Sequence, residues 1–359
     1  MVSTGDGRAA RFASPPWPWA LETTRRHSAT HPSPLPSVPL HSGTRALSSS
    51  VPSTPPSRRS GTPSWRGRPP EEALNWVREV SGGGQILSVR LLPVGGWHAN
   101  HAITVLEPKG MRRQVVLRRW ARPGWDVEDP DFTASREIRV LGLLERAGLP
   151  APRLIGADPM AATCDVPALL VTRLTGHPPG RVRDVETFLV QLAEILARIH
   201  HIGAASAEIP AFRTYFPMRE AHLPGWLLGD PVWEGALAAA HEAEASADSF
   251  IHRDYHPGNS LWRYGTLTGV VDWTQASLGP VGVDVGSMRW NLAADFGLRT
   301  ADRFLDAYRA SSDLELRDQP VWDLVTLMDV VLGMSGPGPD DEMGSLRSHA
   351  EACLHRIGG

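Results

Sequence analysis

The chain has 359 residues, 42% of them hydrophobic and 21% charged, a globular balance with more length than one compact core usually organises, so two lobes or domains are expected. No stretch approaches the ~20 apolar residues a membrane-spanning helix needs, and two cysteines, Cys164 and Cys353, are too few for a disulfide framework or a zinc site and point to a reducing cytoplasm. Residues 1–70 hold nine arginines against Asp6 and Glu22, so the net charge of −3 leaves about −10 on residues 71–359, an acidic body that disfavours nucleic acid and suits a cationic substrate.

Residues 1–70 also carry 13 prolines and 13 serines, with too little apolar periodicity to bury a core, and are expected to be a disordered tail. Their bias suits an organelle transit peptide or an upstream extension from a mischosen start codon. Order is expected from near Glu71. Three strand-like runs follow at 84–94, 101–107 and 113–120, the last two joined by a turn at Pro108-Lys109-Gly110. DFTASREIRVLGLLERAG reads as a helix capped by Thr133 or Asp131 and stopped at Gly148, with Ile138, Leu141 and Leu144 at three-residue spacing. LPAPRLIGAD and VPALLVTRLTG add two short strands. Residues 71–174 are thus expected to form a small β-rich N-lobe, strands around one helix.

Residues 175–359 are expected to form a larger, mainly helical C-lobe. DVETFLVQLAEILARIHHIG is an amphipathic helix with Phe188, Leu192, Ile195 and Ile199 as its apolar stripe. In a less regular part, 206–249, Asp230 and Pro231 fit a helix N-cap and first turn. GMSGPGPDDEMG (333–344) reads as a loop between the last helices.

The densest polar cluster is FIHRDYHPGNSLWRYGTLTGVVDW, residues 250–273. SLWRY, GTLTG and VVDW read as a β-hairpin in which Asn259 and Asp272 lie almost symmetrically about the turn, so antiparallel pairing brings an amide oxygen and a carboxylate to one open end. Hard oxygen ligands with open positions suit Mg²⁺ holding phosphates. Asp254, five residues before Asn259, is near enough to share that site. His252 and His256 fit loop-fixing hydrogen-bond partners.

HRDYHPGN followed by VVDW resembles the catalytic loop and metal-binding aspartate of the protein-kinase-like superfamily. His256 and the PGN ending are similar to the aminoglycoside phosphotransferase family, whose usual form is HGDLHPGN…IDW. The resemblance implies an α+β, bilobal protein-kinase-like fold and ATP- and Mg²⁺-dependent O-phosphotransfer to a small-molecule hydroxyl. It makes Asp254 the catalytic base and Asn259 and Asp272 metal ligands. Arg253 replaces the glycine usual in small-molecule kinases and matches the protein kinases. Yet only residues 273–283 separate Asp272 from Asp284, without an A-P-E signal, too little for an activation loop. Asp284 resembles the structural aspartate that follows IDW.

By the same resemblance, Gly95 and Gly96 in PVGGWHANHAITV occupy the place of the phosphate loop, with Asn100 and the amides of 96–100 near the phosphates. VVLRR puts Arg118 where the phosphate-pairing lysine is expected, and Glu137 looks like the helix glutamate that orients it. Lys109, the sole lysine, sits in a hairpin turn and cannot substitute. Arginine binds phosphate bidentately but is bulkier than lysine. Residues 169–174 resemble the hinge that holds adenine. Acceptor contacts are expected from 206–249 and the last helices, with Asp230, Glu234, Glu242, Asp340, Asp341 and Glu342 as candidates to meet a polyamine and Trp226 and Trp233 as pocket or core residues. Aminoglycoside, macrolide, choline, homoserine or sugar acceptors, and a nucleotide-binding pseudokinase, stay open.

Overall fold

A computed structural model describes residues 64–92, 98–124, 132–203, 209–245 and 249–358. Most of the tail, Gly95, Gly96 and Asp131 therefore lie outside the described residues. The N-lobe sheet holds β1 (Gln85–Leu91), β2 (Ala99–Leu106), β3 (Arg112–Arg119), β4 (Leu154–Asp158) and β5 (Ala168–Thr172). Its order is β1-β2-β3-β5-β4, antiparallel throughout. Antiparallel neighbours need only short connections, and Gly110, at φ +82, closes the β2–β3 turn in a conformation other residues rarely adopt.

Two helices, not one, pack on this sheet. α1 (Glu71–Val80) buries Ala73, Leu74, Trp76 and Val77 against Ile103, Val105, Val115, Leu117, Ala168 and Leu170. The sequence reading missed α1, although Leu74/Val77 and Trp76/Val80 carry a helical period. α2 (Ala134–Arg146) lies on the other face, where Val140, Leu141 and Leu144 join Leu169 and Val171. Its cap is Thr133, whose hydroxyl accepts the Arg136 N–H at 3.2 Å. Alternation along β5 thus feeds two cores. On β3 it turns Arg118 toward α2 and the C-lobe, while Arg119 on the opposite face pairs with Asp165.

The α2-side core continues into the C-lobe through α3 (Val185–His200), whose Phe188, Leu192, Ile195 and Ile199 are buried in it. One apolar core therefore spans both lobes. The linker is also bonded: His177 and Trp262 exchange backbone hydrogen bonds of 3.1 and 2.7 Å. α4 (Pro231–His241) starts at Asp230, which accepts the Val232 N–H at 2.9 Å. Two two-stranded elements follow from β6 (Ser249–Ile251), β7 (Ser260–Arg263), β8 (Thr266–Val270) and β9 (Ser277–Gly279), paired β6–β9 and β7–β8. Then come α5 (Val281–Phe296), α6 (Leu298–Ser311), α7 (Gln319–Val331) and α8 (Asp340–Gly358). α8 takes in 340–344, part of the segment expected as a loop, so Asp340, Asp341 and Glu342 form its first turn, where acidic side chains complement the helix dipole.

α5 is buried on nearly every side and carries Asp284 in its first turn. It approaches α7 through Gly282 and Gly286. A Cβ at 286 would lie 2.8 Å from Thr326 Oγ1 and 2.9 Å from the Trp322 carbonyl oxygen. Backbone cannot step aside as a side-chain tip can. Gly286→Ala is expected to lower stability by about 1–2 kcal/mol net, overpacking outweighing the gain in helix propensity. Chemical denaturation should show the midpoint falling; an unchanged midpoint would mean that α5 and α7 slide freely.

Candidate active site

The segment after β6 is held from below by Asp284, which is fully buried. Its Oδ1 accepts the Arg253 N–H at 2.6 Å, and its Oδ2 accepts the His252 N–H at 2.7 Å. His200 Nε2 donates to the same Oδ2 at 3.0 Å, while the Tyr308 hydroxyl sits 2.6 Å from His200 Nδ1. His252 fastens the other side, Nε2 donating to the Val271 carbonyl at 3.0 Å and Nδ1 accepting the Asp254 N–H at 3.3 Å. Both histidines of the motif act on the loop itself, for His256 Nδ1 accepts the Gly258 N–H at 3.2 Å.

Arg253 has φ +70, a region glycine occupies without strain, which gives a physical reason for glycine's usual presence here. The arginine side chain stacks 4.3 Å over the Tyr215 ring and 5.7 Å from the Phe212 ring, contacts that offset strain. Beneath it Asp329 accepts the Tyr215 and Phe216 N–H groups, both at 3.2 Å. Burial pushes the Asp329 carboxyl up to about 7, against the opposing Arg253 charge and these two bonds.

Asp254 follows with its side chain 44% exposed. Its Oδ2 accepts from Asn259 Nδ2 at 3.0 Å, and its backbone oxygen accepts from the same nitrogen at 2.9 Å. Asn259 and the residues before Asp272 meet, with a one-residue correction. A register shift between Leu261 and Trp262 makes Ser260 pair with Val270, so Asn259 faces Val271, whose N–H donates to its carbonyl at 2.9 Å. Asp272 lies just beyond the ladder at φ +68. It is not the strand's last residue.

Asp272 Oδ1 receives Arg118 Nη2 at 2.5 Å. The same Nη2 donates to Thr274 Oγ1 at 2.6 Å, Arg118 Nε donates to Glu137 Oε2 at 2.7 Å, and Nη1 lies 3.4 Å from Asn100 Oδ1. Burial opposes ionisation of Asp272, but the Arg118 charge and hydrogen bond, helped by His98 and His252, hold it down at about 2. Arg118 stays charged: burial works against its charge, and Glu137 and Asp272 outweigh it. The site therefore joins Asp254, Asn259, Asp272, Arg118 and Glu137 in one chain of contacts across both lobes.

The sequence reading missed two residues here. Thr274 is fully buried and also donates to Glu137 Oε2 at 2.8 Å. His98 is fully buried, edge-on to Trp120 and stacked on Phe132 at centroid distances of 4.6 and 4.7 Å. Neither of its ring nitrogens has a partner among the described residues. Burial, then the Arg118 charge, push its pKa well below the ordinary value. No local pattern marks either residue; a β-strand approach and a loop end put them there.

Oxygen donors on Asp254, Asn259 and Asp272, with Asp272 ionised at neutral pH, fit a hard divalent cation. A different group, Asp323, His349 and Cys353, lies buried between α7 and α8 with donor atoms mutually within 4.8 Å. Arg289 already pairs with that Asp323 carboxylate, so the charge there is met by a guanidinium. Of the acids expected to face an acceptor, Asp230 caps α4 and pairs with Arg347 at 3.1 Å, and Glu234 accepts the Gly229 N–H at 3.0 Å. Trp233 is core. Near the open side of Asp254, His256 Nε2 is 3.8 Å from Asp254 Oδ2. Partial burial of its carboxyl group pushes Asp295 up to about 6; the His256 charge opposes this and Glu342 adds to it. No helix among the described residues is long and apolar enough to cross a membrane.

Comparisons with known proteins agree with this architecture. Macrolide 2'-phosphotransferase MphH from Brachybacterium faecium superimposes with a TM-score of 0.53 at 18% identity, covering 79% of this chain and 97% of that one. Choline kinase LicA from Streptococcus pneumoniae gives 0.51 at 15% identity, covering 79% and 99%. These likenesses are of fold, and they make the α+β, two-lobed architecture a kinase-like one. Homoserine kinase of Afipia carboxidovorans is 25% identical over 201 residues, 48% of this chain and 57% of that protein, so the match spans little more than half of that relative. Residues 92–321 match the phosphotransferase enzyme family. That match takes in the Arg118–Glu137 pair, the loop of Asp254 and Asn259, Asp272 and the buried Asp284: the chain belongs to the phosphotransferase enzyme family, whose fold and small-molecule kinase class it shares.

Proposed function

We propose that this protein transfers the γ-phosphoryl group of ATP to a hydroxyl of a small, cationic acceptor. One observation carries the reading: a half-exposed carboxylate, Asp254, is held by Asn259 at 3.0 Å, one residue from the point where the chain delivers an ionised Asp272 to the inter-lobe cation Arg118. Phosphoryl transfer asks a protein for positioning and charge rather than covalent chemistry. Asp254 accepts the acceptor's proton as the oxygen attacks. Such proton transfer contributes about 10²–10⁴-fold, or roughly 3–5 kcal/mol of barrier. Asn259 and Asp272 would hold Mg²⁺, which supplies neutralisation of phosphate charge when bound. Arg118 places the remaining positive charge, held to α2 by Glu137. Gly95 and Gly96 would bring backbone amides to the phosphates, and 169–174 would seat the adenine.

The acceptor side supports a cation. Asp295 adds a carboxylate within reach of His256, which is itself 3.8 Å from the proposed base Asp254, and homoserine, aminoglycosides and choline all join a hydroxyl to a cationic nitrogen. ADP release from the whole protein with Mg-ATP, across homoserine, choline, aminoglycosides, macrolides and neutral sugars, tests the proposal. Acceptor-dependent release is expected only with the cationic alcohols. Release that ignores every acceptor would identify an ATPase or a contaminant.

Asp272→Ala separates the ligand role from the base role. It removes a carboxylate that both Arg118 and a divalent cation need, so Mg-ATP affinity should fall by at least about tenfold, the worth of one charge-assisted hydrogen bond. Calorimetric titration with Mg-ATP reads this directly. Undiminished affinity would remove Asp272 from the metal set.

A further inference from the structure

Lysine and arginine are not exchangeable at a phosphate site. A lysine ammonium is a compact point charge, whereas a guanidinium is a flat fork that must be held at several points to aim one edge. Arg118 is held at several points. Nε reaches Glu137 Oε2 at 2.7 Å, and Nη2 divides between Asp272 Oδ1 at 2.5 Å and Thr274 Oγ1 at 2.6 Å. The Thr274 hydroxyl has one proton, and it goes to Glu137 Oε2 at 2.8 Å. Its lone pairs are thereby left for the guanidinium. Glu137, Thr274 and two nitrogens of Arg118 close a ring of hydrogen bonds.

Resting on the reading that this site binds a nucleotide, we propose that Thr274 is a positioning residue that makes arginine serviceable at position 118. Its hydroxyl locks one edge of the fork and leaves the other to the phosphates. Among the described residues, Nη1 has only the long, 3.4 Å contact to Asn100 Oδ1. Asn100 lies on β2, three residues after the segment 93–97 in sequence, so the edge left over faces the strand into which the proposed phosphate loop leads. Serine could do what threonine does; valine, equal in shape, could not. The pairing is specific to arginine: a lysine at 118 has no Nη2 to divide between Asp272 and Thr274.

The experiment is a double-mutant cycle with Thr274→Val, Thr274→Ser and Arg118→Lys in the full chain, after thermal melts show that each folds. Thr274→Val is expected to raise the Kd and KM for Mg-ATP by about tenfold, the loss of a hydrogen bond to a charged group, with kcat changed less than KM. Thr274→Ser should stay within about twofold, and Thr274→Val should have little effect once residue 118 is lysine. Equal losses from valine and serine, equal effects of valine in both backgrounds, or no effect of valine at all would overturn the proposal.

A nucleotide-free readout keeps it separate from the function. The Nε–H NMR signal of Arg118, identified by its loss in Arg118→Lys, should exchange slowly with solvent in the unmodified protein and in Thr274→Ser, and rapidly in Thr274→Val. If the unmodified protein fails to bind Mg-ATP but this pattern holds, the nucleotide reading falls and the lock stands. If the signal is insensitive to valine, the lock falls whatever binds.

Discussion

Asp254→Ala is expected to abolish acceptor-dependent ADP release, because removing a positioned base costs about 10²–10⁴-fold in rate, and to leave Mg-ATP affinity within about twofold. The structure makes the two effects separable. The Asp254 carboxylate touches Asn259 and lies near His256, while the contacts of Arg118 run to Glu137, Asp272, Thr274 and Asn100. Asn259 does not swing free in the alanine variant, since its Nδ2 also donates to the backbone oxygen of residue 254 at 2.9 Å. Asp254→Asn, which keeps the shape and loses the basicity, should be as inactive as the alanine. Steady-state turnover with the best acceptor and calorimetric nucleotide binding decide it. Turnover above about a tenth of the unmodified rate, less than the smallest loss that base catalysis implies, would assign the proton transfer elsewhere.

The second large effect is on stability. Asp284→Ala strips the acceptor from the His252 and Arg253 N–H groups and from His200 Nε2, all packed around a carboxylate with no solvent exposure. Each buried donor left without a partner costs about 1–3 kcal/mol, and removing one member of a buried charged network costs about 3–5 kcal/mol. Against a usual net stability of about 5–15 kcal/mol, that is a fall of roughly 10 °C in melting temperature. Asp284→Asn should help little, because both carboxylate oxygens already accept from N–H groups and the amide would present one of them with another donor. Activity should fall further than the folded fraction, since Asp254 is the residue after Arg253. A melting temperature within about 2 °C of the unmodified protein, well short of the expected fall, would show that the loop is carried by its other bonds alone.

Much of the architecture was legible because it rests on local patterning. The stripe of α3, the β2–β3 hairpin around Gly110 and the Asp230 cap each follow from spacing or from the chemistry of one residue. α1 also had a helical period, but ten residues beside a proline-rich tail did not announce themselves as a core element until the sheet face they cover was seen. The β7–β8 register could not be counted from the turn. The ladder closes on Arg263 and Thr266, a turn one residue earlier than the symmetry of Asn259 and Asp272 supposes, and the irregularity at Leu261 and Trp262 recovers only one position, so Asn259 meets Val271 and Asp272 leaves the ladder in a left-handed turn.

The candidate site divides the same way. His252, Asp254, His256, Asn259 and Asp272 are close in sequence, and their motif named them. Thr274 and His98 were not named, since a single threonine or histidine has no signature. The sequence by itself determined the two-lobed plan, the family and the polar loop, because periodicity, capping and a dense motif are properties of neighbouring residues. Only the tertiary structure decided what Arg118 does: its partners Asp272 and Thr274 lie 154 and 156 positions away. Their meeting depends on how α2 and the sheet close on the C-lobe, and a guanidinium takes its meaning from the acceptors around it.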